Sequence, residues 1–503
     1  MSEQIIVVGA GIGGLTAGAL LARRGYDVTV YEQAYVPGGC ASTFKRRGFT
    51  FDVGATQVAG LEPGGIHQRI FEELEIDLPP VTPCDPACAV FLPGETQPIS
   101  VWRDREKWQQ ERQKQFPGSE PFWQLLAKLF RASWKFQGRD PVLPPRNLWD
   151  MWKLTSALRL DTLITVPFTL MTVGDALRLY GLYSDRRLKT FLDLQLKLYS
   201  QVDADETALL YAATALGVSQ EPQGLYHLQG SMQVLSDRLV EGLKKYGGKL
   251  FTGHSVETIE ILENNKTKVI IRRRKKDETI TQTVDHVVAN VPVQNLVKML
   301  ETPAKPLFNL YHRRVDKLPE ASGAFVIYLG VNEQAIPENC PPHLQFFYDY
   351  EGIIGENNSL FVSVSKPGDG RAKEGQRTII ASSFTDTQIW DNISEERYEK
   401  LKQQYSQEAI ARLSSYFHLN ADTIIHQEAA TPRTFAHYTA RDKGIVGGVG
   451  QRVSTFGPFG IATRTPIKNI WLVGDSTHPG EGTAGVSYSA LTAVRQIGDL
   501  NTP

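Results

Sequence analysis

The fold is decided by the stretch Gln4-Ile5-Ile6-Val7-Val8-Gly9-Ala10-Gly11-Ile12-Gly13-Gly14. Its first five residues are apolar apart from Gln4, a pattern that predicts a fully buried β-strand. The turn that follows has the G-x-G-x-x-G spacing, and Leu15–Arg24 predicts a helix that Gly25 ends. In such a unit the glycines let a pyrophosphate approach the backbone, and the helix N-terminus offers N–H donors and the positive end of its dipole.

A second predicted strand, Asp27–Tyr31, ends in the acidic residue Glu32. An acid at this distance from the glycine turn accepts hydrogen bonds from a ribose and repels a 2′-phosphate, so NADP is disfavoured. The complete strand–helix–strand context separates a dinucleotide site from a glycine turn that binds nothing. The residues that we expect to bind the ADP part are Gly9, Gly11, Gly13, Gly14, Glu32 and Gln33.

A second glycine-rich segment, Pro37-Gly38-Gly39-Cys40-Ala41, follows closely. A glycine doublet just after the acid lets another backbone segment close over a cofactor. An NAD-binding domain would enter its next helix here, so the layout is typical of flavoproteins with two dinucleotide-binding motifs. We therefore expect FAD, with further binding residues at Gly39, Ala41, Gly54, Ala55 and Thr56.

The C-terminal region repeats the strand–turn–helix arrangement. Trp471-Leu472-Val473 predicts a buried strand that ends in Gly474-Asp475, and a glycine-rich turn leads into a helix. In FAD enzymes of this organisation, such an Asp bonds a ribityl hydroxyl or the pyrophosphate. The helix N-terminus would face the N1/O2 edge of the isoalloxazine, where negative charge grows on reduction. The expected flavin-side residues are Gly474, Asp475, Gly485, Val486 and Ser487.

The amino-acid composition limits the classes of protein to which this chain can belong. The chain has 503 residues, 41% of them apolar, with 54 Lys+Arg against 55 Asp+Glu and a net charge of −1. This is a globular composition of roughly three domain-sized units, and the balanced charge argues against nucleic-acid binding. The four cysteines are too few and too scattered for a disulfide framework or a metal site, so we expect reduced thiols and no metal. No signal peptide or transmembrane span is recognisable, which predicts a protein on the cytoplasmic side.

Residues 105–224 predict a mainly helical region, because apolar residues recur there at helical spacing. We expect Asp140, Asp150 and Asp161 in this region to be solvated. Strands of a second sheet are predicted at 323–330, 344–348, 360–365 and 378–383, and a helix at 395–417.

The motifs at both ends of the chain, together with Thr431-Pro432-Arg433-Thr434-Phe435 and Thr477-His478-Pro479-Gly480, resemble the carotenoid desaturase and isomerase flavoproteins, a phytoene desaturase-like family. The likeness covers most of the chain. It implies an α/β fold: a Rossmann-type (GR2-like) FAD-binding domain of residues 1–104, 225–300 and 456–503, and a discontinuous sheet-plus-helix substrate domain of 105–224 and 301–455. It also implies that Val256 brackets the adenine through its backbone.

The resemblance implies a long apolar carotenoid substrate and a quinone or oxygen as electron acceptor. Segment 38–54 is most similar to members that introduce a C-3′,4′ double bond, which favours desaturation. Two departures lean towards isomerisation with reduced FAD: Cys40 stands where Arg is frequent, and Gly474-Asp475-Ser476 where Gly-Ala-Gly is frequent. More distant alternatives are an amine oxidase and a non-catalytic binding protein of the GDP-dissociation-inhibitor kind. No catalytic residue is assigned; His478 is a candidate base.

Six of the eight Trp residues lie between Trp102 and Trp152. They predict either a Trp-rich core or an interfacial segment. In the stretch 149–173, Trp149 and Trp152 stand beside basic residues, and a run of aliphatic residues follows. Because aromatic and cationic side chains prefer the headgroup level and aliphatic ones lie below it, we expect peripheral contact with a membrane lipid surface.

Overall fold

The computed structural model describes residues 2–301 and 306–499. The strands in this part of the chain are β1 (Gln4–Val8), β2 (Asp27–Glu32), β3 (Thr43–Arg46), β4 (Phe49–Asp52), β5 (Val81–Pro83), β6 (Cys88–Phe91), β7 (Ile99–Val101), β8 (Tyr226–Leu228), β9 (Lys249–Thr252), β10 (His254–Ile261), β11 (Thr267–Arg273), β12 (Glu278–Val284), β13 (His286–Ala289), β14 (Leu300–Glu301), β15 (Gly323–Asn332), β16 (His343–Phe347), β17 (Ser359–Val364), β18 (Gln376–Thr385), β19 (Ile424–Ala430) and β20 (Ile470–Leu472). The α-helices are α1 (Ile12–Arg23), α2 (Ile66–Leu74), α3 (Arg105–Gln115), α4 (Glu120–Gln137), α5 (Leu148–Ala157), α6 (Leu160–Leu163), α7 (Val173–Leu179), α8 (Arg186–Ser200), α9 (Leu209–Gly217), α10 (Gln233–Lys245), α11 (Val293–Met299), α12 (Pro306–Asp316), α13 (Glu395–Leu413), α14 (Pro432–Thr439) and α15 (Thr483–Asp499).

The first sheet has five parallel strands in the order β20-β13-β1-β2-β9. Successive side chains of β1 point to opposite faces, so both faces need cover. Ile5 and Val7 pack with α1, α10 and α15, whereas Ile6 and Val8 pack towards the sheet β12-β11-β10-β14. The predicted strand Gln4–Val8 and the α/β fold class are confirmed; α1 begins at Ile12, earlier than predicted.

The second large sheet has seven strands in the order β19-β15-β18-β17-β16-β6-β7. It contains all four strands predicted between residues 323 and 383. It also contains β6 and β7, which lie before residue 104 and therefore on the FAD-binding side of the expected boundary. The period-2 pattern of a strand does not identify the strand with which it pairs, so this assignment needed the tertiary structure.

The helical region is confirmed, with α3 to α9 between residues 105 and 217. Its Trp residues differ in exposure: Trp108 and Trp123 are buried in the helical core, and Trp152 is 58% exposed. The expectation for Asp150 is wrong, because this side chain is fully buried. It accepts hydrogen bonds from Gln496 Nε2 at 3.1 Å and from Arg464 at 3.4 Å, and these partners compensate the loss of water.

The stretch predicted to be interfacial forms α5, α6 and a short 3-10 turn rather than one long helix. Many of its large apolar side chains face solvent. We call this surface the exposed apolar patch; it consists of Leu148, Met151, Trp152, Leu158, Leu160, Leu163, Val166 and Leu170. Phe168, in contrast, packs against the helical core. Among the described residues, no helix combines the length and apolar character that crossing a membrane requires.

Candidate functional site

The carboxyl ends of β1 and β2 form the first half of the site. Gly9 has φ +90°, a left-handed conformation that favours glycine, and its N–H donates to Tyr31 O at 2.8 Å. The next turn leads into α1, whose N-cap residue, Gly11, has no side-chain cap. A Cβ on Gly14 would lie 2.0 Å from Gly9 O, so this turn tolerates only glycine. The turn thus presents uncapped N–H groups at the N-terminus of a long helix, which suits an anion.

Asn290 joins the two glycine turns. It follows β13, and a Cβ added to Gly11 or Gly13 would lie 2.7 Å from its side-chain amide. The same amide oxygen would lie 3.0 Å from a Cβ on Gly474, in the C-terminal turn. The sequence analysis missed this residue. The available signal was that Asn290 is polar and directly follows a predicted buried strand, at the sheet edge where the glycine turns lie.

Glu32 lies at the carboxyl end of β2 and is 7% exposed. Its Oε2 accepts from the Ala10 N–H at 2.7 Å and its Oε1 from the Ala34 N–H at 2.8 Å. Burial raises the pKa of this carboxyl, and the backbone hydrogen bonds oppose that rise. Each carboxylate oxygen can still accept a further hydrogen bond from a ribose hydroxyl.

The second glycine-rich segment lies directly over the first turn. Gly38 donates its N–H to Ala10 O at 2.7 Å, and the Ala55 N–H donates to Cys40 O at 3.1 Å. These two bonds hold segments 38–41 and 54–56 beside the glycine turn. The second backbone segment therefore lies beside the first glycine turn, in the place that the glycine doublet predicts.

The C-terminal turn forms the other half of the site. Gly474 donates its N–H to Ser489 Oγ at 2.9 Å, which ties the end of β20 to α15. Asp475 Oδ2 lies 2.7 Å from Arg441 Nη2 in an ion pair. The sequence analysis did not single out Arg441, which lies shortly after the segment 431–435 that carried part of the resemblance. A basic residue near such a motif is a weak signal by itself.

One continuous cavity of about 1110 Å³ connects these elements. The predicted cofactor-binding residues in its wall are Gly9, Gly11, Gly13, Glu32, Gln33, Gly39, Ala41, Gly54, Ala55, Thr56, Val256, Gly474, Asp475, Gly485 and Val486. Gly14 and Ser487 do not line it. Gly14 packs against the Gly9 carbonyl behind the turn, and Ser487 Oγ lies 3.4 Å from Thr16 Oγ1, inside the helix packing.

Away from the glycine turns most of the cavity wall is apolar, and we call this part the apolar chamber. Aromatic and aliphatic side chains of the helical region and of the seven-stranded sheet form its wall, among them Trp134, Leu194, Leu198, Tyr211, Phe384 and Phe456. Charged side chains in the wall include Lys197 and Glu481. A wall that is apolar in its larger part suits an apolar ligand better than a polar one.

The candidate base His478 and two residues in or near the segment 431–435, Arg433 and Tyr438, have different surroundings. His478 is buried outside the cavity wall, with Nε2 3.1 Å from Gln137 Nε2, and burial lowers its pKa to about 4. Arg433 donates to the carbonyl oxygens of Trp390 and Ile393, so it anchors a loop. Tyr438 lines the cavity and is largely exposed.

The residues present fit FAD. The glycine turns leave a cradle that Cβ atoms would fill, and the α1 N-terminus at its end suits a pyrophosphate. The same cavity is lined by Glu32, a buried acid that suits a ribose, and by the N-terminus of a second helix, α15. Within residues 2–301 and 306–499, no cluster of His, Cys, Asp or Glu side chains could hold a metal ion, and the four cysteines are free thiols.

Comparisons with known proteins agree with this geometry. The sequence pattern of the family described as flavin containing amine oxidoreductase matches residues 12–498. The chain is 26% identical to a prolycopene isomerase 2, chloroplastic, of an Oncidium hybrid cultivar, over 98% of this chain and 83% of that protein. It is 25% identical to the zeta-carotene-forming phytoene desaturase of Myxococcus xanthus, over 98% of this chain and 94% of the relative. These similarities confirm the resemblance to the desaturase and isomerase flavoproteins.

Among solved structures, cyclohexylamine oxidase from Brevibacterium oxydans IH-35A has the same fold. The TM-score is 0.62 at 15% sequence identity, with 99% of this chain and 100% of the oxidase covered.

Proposed function

Because the chain belongs to the flavin-containing amine oxidoreductase family, we propose that it is a carotenoid desaturase, which uses FAD to introduce a C=C bond into a long polyene. FAD is the cofactor of this oxidoreductase, as the two terminal motifs predict. The finer part of the proposal is the bond: C-3′,4′, at the acyclic end of a monocyclic carotenoid. It is supported by the likeness of segment 38–54 to members with that activity.

The observation that carries the proposal is the continuity of the cavity. The glycine cradle and the apolar chamber share one space, and side chains such as Leu198, Tyr211 and Phe456 line the chamber. A polyene has no polar group to pair, so an apolar wall holds it at no desolvation cost. Relatives named as acting on carotenes support the same substrate class.

When bound, FAD supplies the acceptor for a hydride, which a desaturation requires. In this proposal the protein residues position the two partners. The N–H groups of the α1 N-terminus would hold the pyrophosphate and Glu32 would bind the adenosine ribose. Val256 would bracket the adenine through its backbone, and the α15 N-terminus would favour negative charge on the flavin. The apolar chamber excludes water from the reacting carbons. A quinone or oxygen then serves as the electron acceptor.

The exposed apolar patch supports uptake of such a substrate from a bilayer. Leu148 and Leu160 are 90% and 88% exposed, which is costly for a surface that meets only water. The patch is tied to the chamber wall: Arg139, just after α4, donates to Ala157 O and pairs with Asp161, and α4 contributes Trp134 to the wall. We place a peripheral contact with the lipid surface there.

The test is an anaerobic incubation of the FAD-loaded protein with a monocyclic carotene. Desaturation predicts bleaching of the flavin absorption and a product with one more conjugated double bond and two fewer hydrogens. An intact flavin spectrum with every carotene offered would refute the proposal. A preparation that binds no flavin at all would instead favour the non-catalytic binding protein of the same fold.

Isomerisation is the second candidate. The relative at 26% identity is named a prolycopene isomerase, and Gly474-Asp475-Ser476 departs from the common desaturase pattern in the same direction. The two reactions are separated by product mass. A product of unchanged mass and altered cis–trans geometry, formed only with pre-reduced flavin, would establish isomerisation and exclude desaturation.

A further inference from the structure

Glu481 stands at the junction between the flavin-side turn and the apolar chamber. It lies in the turn that leads from β20 to α15, and it lines the cavity. Its Oε2 accepts from Gln201 Nε2 at 2.9 Å, and the Gly448 backbone N–H also donates to the carboxyl. Its Oε1 is buried and has no hydrogen-bond partner. One oxygen is therefore held in place while the other is free to accept a proton.

The charged and titratable groups that face Glu481 come from several elements. They are Asp475 after β20, Arg441 after α14, Lys197 on α8 and Tyr211 on α9. Arg441 is engaged by Asp475 at 2.7 Å, and Lys197 Nζ donates to Gln201 O at 2.9 Å, so neither cation pairs with Glu481. Burial, and then the negative charge of Asp475, raise the pKa of Glu481 to about 8.

The other ionisable groups near the chamber are less suited to exchange a proton with a ligand. His478 lies behind the wall and its Nε2 faces Gln137. Lys197 is bound to a backbone carbonyl, and Asp475 is held by Arg441. Glu428 also lines the cavity, but Arg46 Nε lies 3.2 Å from its Oε2. Glu481 thus differs from these groups in having a free, buried carboxyl oxygen within the wall.

We propose that Glu481 is the catalytic residue that takes up the proton of the substrate, a role that rests on the proposed desaturation. One carbon of the polyene loses a hydrogen together with its electron pair, as a hydride, to FAD. On the neighbouring carbon the C–H bond breaks, its electron pair becomes the new C=C bond, and its proton forms an O–H bond with Oε1 of ionised Glu481. The substrate is oxidised by two electrons, FAD is reduced by the same two, and the proton later leaves to solvent.

The test compares E481Q and E481D with the wild type, with E399Q as the control, since Glu399 is exposed on α13 and lies outside the cavity wall. Each protein is loaded with FAD, its FAD affinity is measured, and the anaerobic rate of flavin bleaching by a monocyclic carotene is followed from about pH 6 to about pH 9. General base catalysis contributes about 10²–10⁴-fold. E481Q should therefore bleach about 10²–10⁴-fold more slowly, E481D should retain part of the rate, and E399Q should bleach at the wild-type rate.

The pH profile separates a catalytic role from a structural one. The wild-type rate should rise with pH through about 8, the pKa of Glu481, and level off above it, and E481Q should lose this rise while it retains FAD. Infrared difference spectra should show a carboxylic C=O band that disappears over the same pH range in the wild type and is missing from E481Q.

Equal bleaching by the wild type and E481Q would refute the role of Glu481 and leave the desaturation intact. Loss of FAD from both E481Q and E481D would show that the carboxyl holds the cofactor, and would also overturn the role. A wild-type protein that no carotene bleaches would refute the desaturation itself, and the role with it.

Discussion

Arg441 Nη2 lies 2.7 Å from Asp475 Oδ2, and both side chains are largely buried. The ion pair connects the loop after α14 to the turn after β20. Asp475 was expected to bond a ribityl hydroxyl or the pyrophosphate. The Arg441 guanidinium fixes the orientation of this carboxylate at the cavity wall, and it leaves the remaining carboxylate lone pairs available to a cofactor hydroxyl.

Replacing Arg441 with Met should destabilise the protein and weaken FAD binding, because Asp475 then remains buried without its partner. Breaking a buried pair in this way costs about 3 kcal/mol. Urea unfolding and FAD titration measure the two effects. The control is K298M, which removes Lys298 from the more exposed pair with Asp442 and should cost less than about 1 kcal/mol. Equal stabilities of R441M and K298M would contradict the importance of the buried pair.

Replacing Glu32 with Ala should weaken retention of the adenosine half of FAD. The variant loses the acceptor for a ribose hydroxyl and also the bond to Ala10 that holds the glycine turn. A hydrogen bond to a charged group is worth about 1.5–3 kcal/mol, so FAD affinity should fall by about 10–100-fold. Reconstitution of the apoprotein with FAD measures this fall. D27A, at the other end of β2, is the control. Unchanged flavin content and FAD affinity in E32A would show that Glu32 does not bind the cofactor.

Liposome co-sedimentation tests the exposed apolar patch. Changing Leu148, Trp152, Leu160 and Leu170 to Gln should release the protein from vesicles, because these side chains are all more than half exposed and can enter the headgroup region without unfolding the core. Phe168 is left unchanged because it packs against the helical core. A matched double variant, L78Q with I389Q, removes exposed apolar residues outside the patch. Equal sedimentation of the quadruple variant and the wild type would refute the membrane contact.

His67 predicts a pH dependence of stability. Its side chain is fully buried, neither ring nitrogen has a partner, and burial lowers its pKa to about 4. The unfolded chain binds the proton near pH 6.5, so protonation favours unfolding, and stability present above pH 6.5 is lost as the pH falls towards 4.

The melting temperature of H67F should therefore decrease less than that of the wild type when the pH is lowered from about 7.5 to about 5, because Phe carries no proton. H437F, which replaces an exposed histidine outside the core, is the control and should follow the wild-type curve. Melting curves that run parallel for H67F and the wild type over this range would show that His67 does not couple to folding.

Local patterns predicted a large part of this architecture. The strand β1, the glycine turn and α1 are contiguous in sequence, so their apolar pattern and glycine spacing fix the backbone without reference to other segments. The same holds for the strands near residues 323–383 and for the helices of the region 105–217. Boundaries differed by a few residues, because caps depend on contacts that propensity does not record.

The sequence did not predict which distant segments pack against each other. The sequence pattern predicts that Asp150 is a solvated helix residue. In the structure it is buried and accepts hydrogen bonds from Arg464 and Gln496. Residues 88–91 fall within the expected FAD-binding segment 1–104, yet they form β6 and pair with β16. In both cases the decisive neighbour comes from a segment several hundred residues away.

The sequence by itself determined the cofactor class and the two glycine turns that we predict to bind it, because a glycine turn between a strand and a helix is a local conformation. Only the tertiary structure decided what surrounds them. Asn290 between the glycine turns, Arg441 on Asp475 and the free Glu481 oxygen beside Gln201 all arise from packing between distant segments. The spacing of residues along one segment sets its backbone conformation, but the burial and pairing of a side chain depend on which other segments reach it once the chain is folded.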